Sequence, residues 1–279
     1  MTRPIDLEKL TWNYNTANSR LILFDYDGTL VPFEVHPRLT KPDVHVISLL
    51  NTIAADRRNH VILISGRDKE HLEASLSNLP IVLVAEHGAY YRNPGNVWRA
   101  MFSISGEWTQ KALPALKALA FQYDGSFLEH KTYSLAWHYR AIAGKITESD
   151  KRQILAAIRS LPEHEHFLVY DAEFTIELRT PGIDKGSFVA RWVGNRNYDF
   201  VMAIGDGHTD EDLFKIFGKE SYTIKVGKSD NSAANFHIRS QDDVLPFIHK
   251  LLNLGREFDK KVKVDLQKYR LDGNTRKDI

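Results

Sequence analysis

Leu21-Ile22-Leu23-Phe24 runs directly into Asp25-Tyr26-Asp27-Gly28-Thr29-Leu30, joining a short apolar stretch to a loop with two carboxylates one residue apart. Four large apolar residues without alternation are the mark of a strand buried on both faces of a parallel sheet. Three more such runs follow at Val61 to Ile64, Ile81 to Ala85 and Val201 to Ile204. Helical faces separate them. Beyond a turn-rich stretch with Pro32, Pro37 and Pro42, Val46, Leu49, Leu50, Ile53 and Ala54 keep helical spacing; Val189, Trp192 and Val193 mark a second helix, and Leu213, Ile216 and Phe217 a third. Alternating β and α units predict an α/β fold, a Rossmann-like core with a doubly wound parallel sheet.

The middle of the chain has another rhythm. Helix candidates lie around 107–121 and 150–160, and a strand candidate spans 131–140. Within it Tyr133, Leu135, Trp137 and Tyr139 alternate with Ser134, Ala136, His138 and Arg140; Phe174, Ile176 and Leu178 alternate with Thr175, Glu177 and Arg179. Strict alternation predicts a sheet with one apolar and one polar face, the polar face being the place for substrate contacts. An inserted α+β cap domain over 104–182 is expected, dividing a core over 16–103 and 183–254 and leaving a C-terminal extension over 255–279. In an unbroken strand Lys131 falls on the Trp137 face, so it snorkels, the strand begins after it, or a bulge re-aims it.

Composition narrows the classes. With 37 Lys plus Arg against 36 Asp plus Glu the net charge is +1, no global basic field for nucleic acid or an anionic membrane surface. Every apolar run is far shorter than a membrane span needs, and 1–18 holds no apolar signal core, so a cytoplasmic protein is expected. Zero Cys excludes disulfides, a thiolate nucleophile and Cys-ligated zinc.

Chemistry is concentrated at strand ends, where open α/β sheets bind ligands. Asp25 and Asp27 in a half-buried loop need a cation between them or a proton on one; the bland alternative is an Asx-type turn. Ser65-Gly66-Arg67 offers a hydroxyl, close backbone approach and a cation, a set that suits phosphate. Gly182-Ile183-Asp184-Lys185-Gly186 offers a compact positive charge before a helix. Gly205-Asp206-Gly207-His208-Thr209-Asp210-Glu211-Asp212 places four acids after a strand, with Asp206 the better metal ligand and Glu211 and Asp212 read as a solvated face. His138 reads as a structural partner. His87 orients Asp27 or a sugar hydroxyl, or caps a turn. The tryptophans read as packing.

In this order the motifs resemble the haloacid dehalogenase (HAD) superfamily of phosphatases. Ala85-Glu86-His87-Gly88, Gly125 to Lys131, Ser134 to Arg140 and Glu177 to Gly182 are similar to the trehalose-6-phosphate phosphatases, including the phosphatase domain of synthase–phosphatase fusions, with a C2-type cap between the second and third motifs. The resemblance implies that Asp25 forms an aspartyl phosphate and Asp27 serves as general acid and base. It implies that Ser65 and Lys185 hold phosphoryl oxygens; Gly66 and Arg67 are expected to bind substrate. Mg2+ is implied on Asp25, the Asp27 carbonyl and Asp206, supported by Asp210; Glu129, Lys131, Arg140 and Glu177 are implied to contact the sugar. Gly207 departs from the family's usual second Asp. The expected function is hydrolysis of trehalose 6-phosphate, with a trehalose-6-phosphate synthase as possible partner. The alternatives are another sugar phosphate, of the sucrose 6-phosphate or mannosyl-3-phosphoglycerate type, and a non-catalytic sugar-phosphate-sensing domain that partners a synthase.

Overall fold

The computed structural model describes residues 2–33, 40–172, 174–229 and 231–253. Pro37 and the extension expected over 255–279 lie outside the described residues. In chain order the first elements are α1 (Leu7–Thr16), β1 (Arg20–Phe24), α2 (Val44–Ala54), β2 (Asn59–Ile64), α3 (Lys69–Leu76), β3 (Val82–Ala85), β4 (Tyr90–Arg92) and β5 (Arg99–Ala100). The inserted part supplies α4 (Trp108–Gln122), β6 (Phe127–His130), β7 (Ser134–His138), α5 (Glu148–Arg159), β8 (Leu168–Ala172) and β9 (Thr175–Arg179). The chain then returns through α6 (Lys185–Val193), β10 (Phe200–Gly205), α7 (Thr209–Ile216), β11 (Tyr222–Val226) and β12 (Phe236–Ile238), followed by helix over 244–253.

The first and last groups build one eight-stranded sheet in the order β12-β11-β10-β1-β2-β3-β4-β5. It is parallel from β12 to β3, and the β4-β5 edge is antiparallel, an addition that periodicity did not announce. Alternate strand residues feed opposite layers. Ile22, Phe24, Val61, Leu63, Met202 and Ile204 pack with α1, α2, α3 and the closing helix, whereas Leu21, Leu23, Ile62, Ile64 and Ala203 pack with α6 and α7. Burial on both faces is why these strands read as unbroken apolar runs. The chain leaves β1 toward β2 and β3 but returns on the other side at β10. This reversal is a topological switch point, where the strand ends form a crevice.

The second sheet is four-stranded and antiparallel, in the order β6-β7-β9-β8. Leu135, Trp137, Ile176 and Leu178 form its apolar face and pack with Trp108, Ala112, Leu116, Ile154 and Ile158 from α4 and α5. Register aligns Glu129, Ala136, Glu177 and Tyr170 across the other face. The strand candidate over 131–140 is corrected to the second arm of a hairpin: β7 begins at Ser134, and Lys131 N–H closes the turn on the Ser134 carbonyl at 2.9 Å. Lys131 therefore escapes the alternation because it precedes the strand. Past β7, Arg140 opens a 3-10 stretch, Arg140–Lys145. The segment entering this module packs against the turn between β6 and β7: at Gly106 a Cβ would lie 2.1 Å from the Thr132 carbonyl oxygen. Among the described residues no helix is long and apolar enough to cross a membrane.

Trp137 is fully buried in the second sheet, with its indole N–H donating to Ser126 Oγ at 2.8 Å. Trp137→Ala is expected to lower the unfolding free energy by about 3–5 kcal/mol, as measured by urea denaturation.

Candidate active site

The Asp25 loop is folded back on itself. The Asp25 N–H donates to the Ile204 carbonyl at 2.9 Å, tying the end of β1 to β10. The Tyr26 carbonyl accepts from Leu30 at 2.9 Å and Val31 at 3.0 Å, and Gly28 turns the chain at φ 76°. A Cβ on Gly28 would lie 2.5 Å from Asp206 Oδ2, so glycine lets the loops after β1 and β10 touch. Thr29 Oγ1 donates to Asp206 Oδ1 at 3.3 Å.

Lys185 opens α6 behind Asp184, whose side chain caps the helix by accepting from Ser187 N–H at 2.7 Å. Its ammonium, on a residue only 2% exposed, donates to Asp25 Oδ1 at 2.5 Å and Asp210 Oδ1 at 2.8 Å. Oxygens of Asp25, Asp206 and Asp210 all lie within 4.8 Å of one another. Burial and the neighbouring Asp210 push the Asp25 carboxyl well above its usual range and Asp206 up to about 6. Burial disfavours the Lys185 charge, but Asp210 and Asp25 more than offset it and raise its pKa. Crowded, desolvated hard-oxygen donors aimed at one point, with one lysine among them, fit a divalent cation of the Mg2+ kind.

The acid cluster after β10 divides by role. Gly207 N–H donates to Asp210 Oδ2 at 2.9 Å, and a Cβ at Gly207 would only reach ordinary contact with that oxygen, at 3.5 Å. At Gly205, by contrast, a Cβ would come within 2.2 Å of Asp210 Cγ. Lys225 on β11 donates to the carbonyl of Asp206 and, at 3.4 Å, to that of Gly207. The reading of Glu211 as solvated is corrected: it accepts from Ser232 Oγ at 2.8 Å and Ala233 N–H at 2.6 Å, because the 232–234 segment folds over it.

Beyond β2, Ser65 is buried and its Oγ accepts from Arg67 N–H at 3.1 Å. The Arg67 guanidinium forks onto both carboxylate oxygens of Asp27, with Nε to Oδ2 at 2.7 Å, and also reaches Thr40 Oγ1 at 3.0 Å. Gly66 lies against the His87 ring; a Cβ there would sit 2.5 Å from His87 Cε1.

The polar face of the second sheet closes over these loops. Glu129 meets Lys131 Nζ at 3.0 Å and His138 Nε2 at 3.1 Å. Burial pushes its carboxyl up, but Lys131 and His138 outweigh that and hold it at about 2. Glu177 bonds Arg179 Nη2 at 2.5 Å through Oε2, and its Oε1 lies 3.4 Å from His87 Nε2 of the core. Its carboxyl falls well below the usual range because Arg179 and His87 outweigh desolvation. His87 itself is driven down to about 4 by burial and by Arg179. Among the described residues neither His87 Nδ1 nor Glu177 Oε1 has a hydrogen-bond partner, so the 3.4 Å approach of His87 Nε2 to that oxygen is an electrostatic contact rather than a formed hydrogen bond.

The predicted residues thus form four groups: Asp25, Lys185, Asp206 and Asp210; Asp27 with Arg67; Glu129 with Lys131; and Glu177. Ser65 and Gly66 line the second of these. Arg140 is exposed, with its guanidinium 4.6 Å from the Phe174 ring centroid. Sequence reasoning missed Arg179, which shares the face of Glu177 two residues earlier, a signal that alternation carried. It also missed Thr29, Lys225 and the Glu86 carboxylate, which accepts from Thr132 N–H at 3.1 Å.

A family model described as trehalose-phosphatase matches residues 23–244. A bifunctional trehalose-6-phosphate synthase/phosphatase from Thermoproteus tenax is 33% identical over 223 residues, covering 80% of this chain and 30% of that protein. The chain spans about a third or less of the length of the curated relatives it matches. The C-terminal domain of the Candida albicans trehalose-6-phosphate phosphatase superimposes with a TM-score of 0.82 at 27% identity, covering 90% of this chain and 98% of that one. An Aspergillus fumigatus trehalose-6-phosphate phosphatase gives 0.66 at 31% identity, covering 91% and 99%.

The glycines around Asp206 separate by what a methyl group would strike. Gly205→Ala is expected to cost about 1–3 kcal/mol by forcing Asp210 aside, whereas Gly207→Ala stays within about 0.5 kcal/mol. Thermal unfolding of the two variants checks this.

Proposed function

Because this chain belongs to the trehalose-phosphatase family, with a HAD-type core, we propose that it hydrolyses trehalose 6-phosphate to trehalose and phosphate. The reading is carried by one observation: Asp25, Lys185, Asp206 and Asp210 converge at the switch point of the core sheet, beneath the Glu129 and Glu177 face of the inserted sheet. We take 104–182 as a cap on a core formed by 16–103 and 183–254. Carboxylates and cations on its inner face suit a ligand rich in hydroxyls, since a closed polar site penalises any group left unpaired.

Asp25 is the nucleophile. As its oxygen bonds phosphorus, the ester P–O bond breaks, and Asp27 gives its proton to the leaving sugar oxygen. Asp27 then takes a proton from water, whose oxygen attacks the aspartyl phosphate, and the bond between phosphorus and Asp25 breaks. Arg67 fixes the direction of the Asp27 carboxyl, while Ser65 and Lys185 bind phosphoryl oxygens as charge spreads over them. Asp25, the Asp27 carbonyl and Asp206 would hold Mg2+, with Asp210 in support. When bound, the ion would neutralise phosphoryl charge and the repulsion among the carboxylates. A partner carrying trehalose-6-phosphate synthase activity would supply the substrate, as the name of the Thermoproteus tenax relative suggests.

Steady-state rates with Mg2+ across trehalose 6-phosphate, sucrose 6-phosphate, mannosyl-3-phosphoglycerate and p-nitrophenyl phosphate test the reading; kcat/KM is expected to be highest for trehalose 6-phosphate, and a higher value for another sugar phosphate would replace it. Asp25→Asn should abolish turnover on every ester, because an amide is no nucleophile. Glu177→Ala should raise KM for the sugar phosphate while affecting p-nitrophenyl phosphate much less; equal losses on both would refute that division of labour.

A further inference from the structure

Two adjacent core residues reach both the phosphate loop and the cap. Glu86 and His87, just after β3, have φ of 48° and 58°, and Gly88 follows at 115°. Left-handed backbone is unfavourable for residues with side chains and persists only where the surroundings impose it. Here the backbone serves one partner: Glu86 N–H donates to the Arg67 carbonyl at 2.8 Å and His87 N–H to the Ser65 carbonyl at 2.9 Å. The side chains serve the other. Glu86 accepts from Thr132 N–H at 3.1 Å, in the turn that carries Lys131, and His87 Nε2 lies 3.4 Å from Glu177 Oε1. Glu86 is buried, the His87 ring lies on Gly66, and at Gly88 a Cβ would come within 2.7 Å of Phe188 Cβ.

We propose that the Glu86-His87 dipeptide is a specificity coupler, through which sugar held by Glu177 and Lys131 sets the position of the Ser65-Gly66-Arg67 loop, with His87 acting as a positioning residue through Glu177. The inference rests on the reading of the substrate as a sugar phosphate and deepens it. Three hydrogen bonds and the 3.4 Å contact of His87 with Glu177, all on two residues, leave the turn little slack. A ligand that fixes Glu177 and the Lys131 turn therefore fixes the carbonyls of Ser65 and Arg67, and with Arg67 the carboxyl of Asp27. An ester too small to reach the cap gains nothing from this linkage. Binding energy from hydroxyls remote from phosphorus is then expressed in kcat as well as in KM.

The test compares His87→Asn with the parent on trehalose 6-phosphate and p-nitrophenyl phosphate. Asn tolerates left-handed backbone but is too short to reach Glu177. Loss of one charge-assisted contact should lower kcat on the sugar phosphate about tenfold or more, with a several-fold smaller loss on p-nitrophenyl phosphate, whose turnover also reports an intact fold. Combined with Glu177→Ala, His87→Asn should add little further loss, since both act through one contact. His87→Gln, which can direct an amide N–H at Glu177, should recover part of the rate, and it carries the comparison should the Asn variant not fold. Equal losses on both esters, or losses that multiply in the double variant, would overturn the coupling. A parent enzyme that prefers another sugar phosphate would overturn the substrate reading alone, and the same cycle on that sugar phosphate then decides the coupling.

Discussion

The site depends on one buried ammonium. Lys185 contributes a positive charge between Asp25 and Asp210 and offsets part of what burial and the Asp210 charge do against ionisation of Asp25. The arrangement is made possible by chain topology. β1 and β10 are neighbours in the sheet yet separated by most of the sequence, and α6 delivers Lys185 into the crevice between their ends. Glycine completes it: side chains at Gly28 or Gly205 would occupy space that the acid loops need in order to meet.

Electrostatics above this cluster follow another rule. On the inner face of the second sheet the carboxyls of Glu129 and Glu177 are driven down rather than up, because each has close cationic or imidazole partners that outweigh desolvation. Asp25 and Asp206 below, and Glu129 and Glu177 above, are thus displaced in opposite directions. The lower pair is short of positive charge even with Lys185 present, which suits a metal and a transferring phosphoryl group; the upper is internally balanced, which suits a neutral polyol.

The doubly wound core was legible because strands buried on both faces leave unbroken apolar runs, as in Leu21 to Phe24 and Val201 to Ile204. The second sheet was legible from alternation at Leu135, Trp137, Ile176 and Leu178. What stayed hidden has physical reasons. The β4-β5 edge consists of three- and two-residue strands, too short to show a period. The Lys131 turn obeys no alternation because it interrupts the strand that periodicity extended through it. Asp25, Asp206 and Lys185 could be picked out by their strand-end or helix-start positions. The pairings of Arg67 with Asp27 and His87 with Glu177 join residues distant in sequence, and no local pattern encodes which cation will find which acid.

The apolar cluster beneath the second sheet, centred on Trp137 and Leu135, shares no residue with the clusters on either side of the large sheet. Among the described residues, only the small group of Ala89, Phe102, Tyr133 and Ile183 spans the junction. Mutations that reshape the polar face can accumulate without disturbing the packing that aligns Asp25 with Asp206. Selection can therefore revise which molecule is recognised without rebuilding the strand ends that carry Asp25 and Asp206, so long as the contacts to Glu86 and His87 are kept.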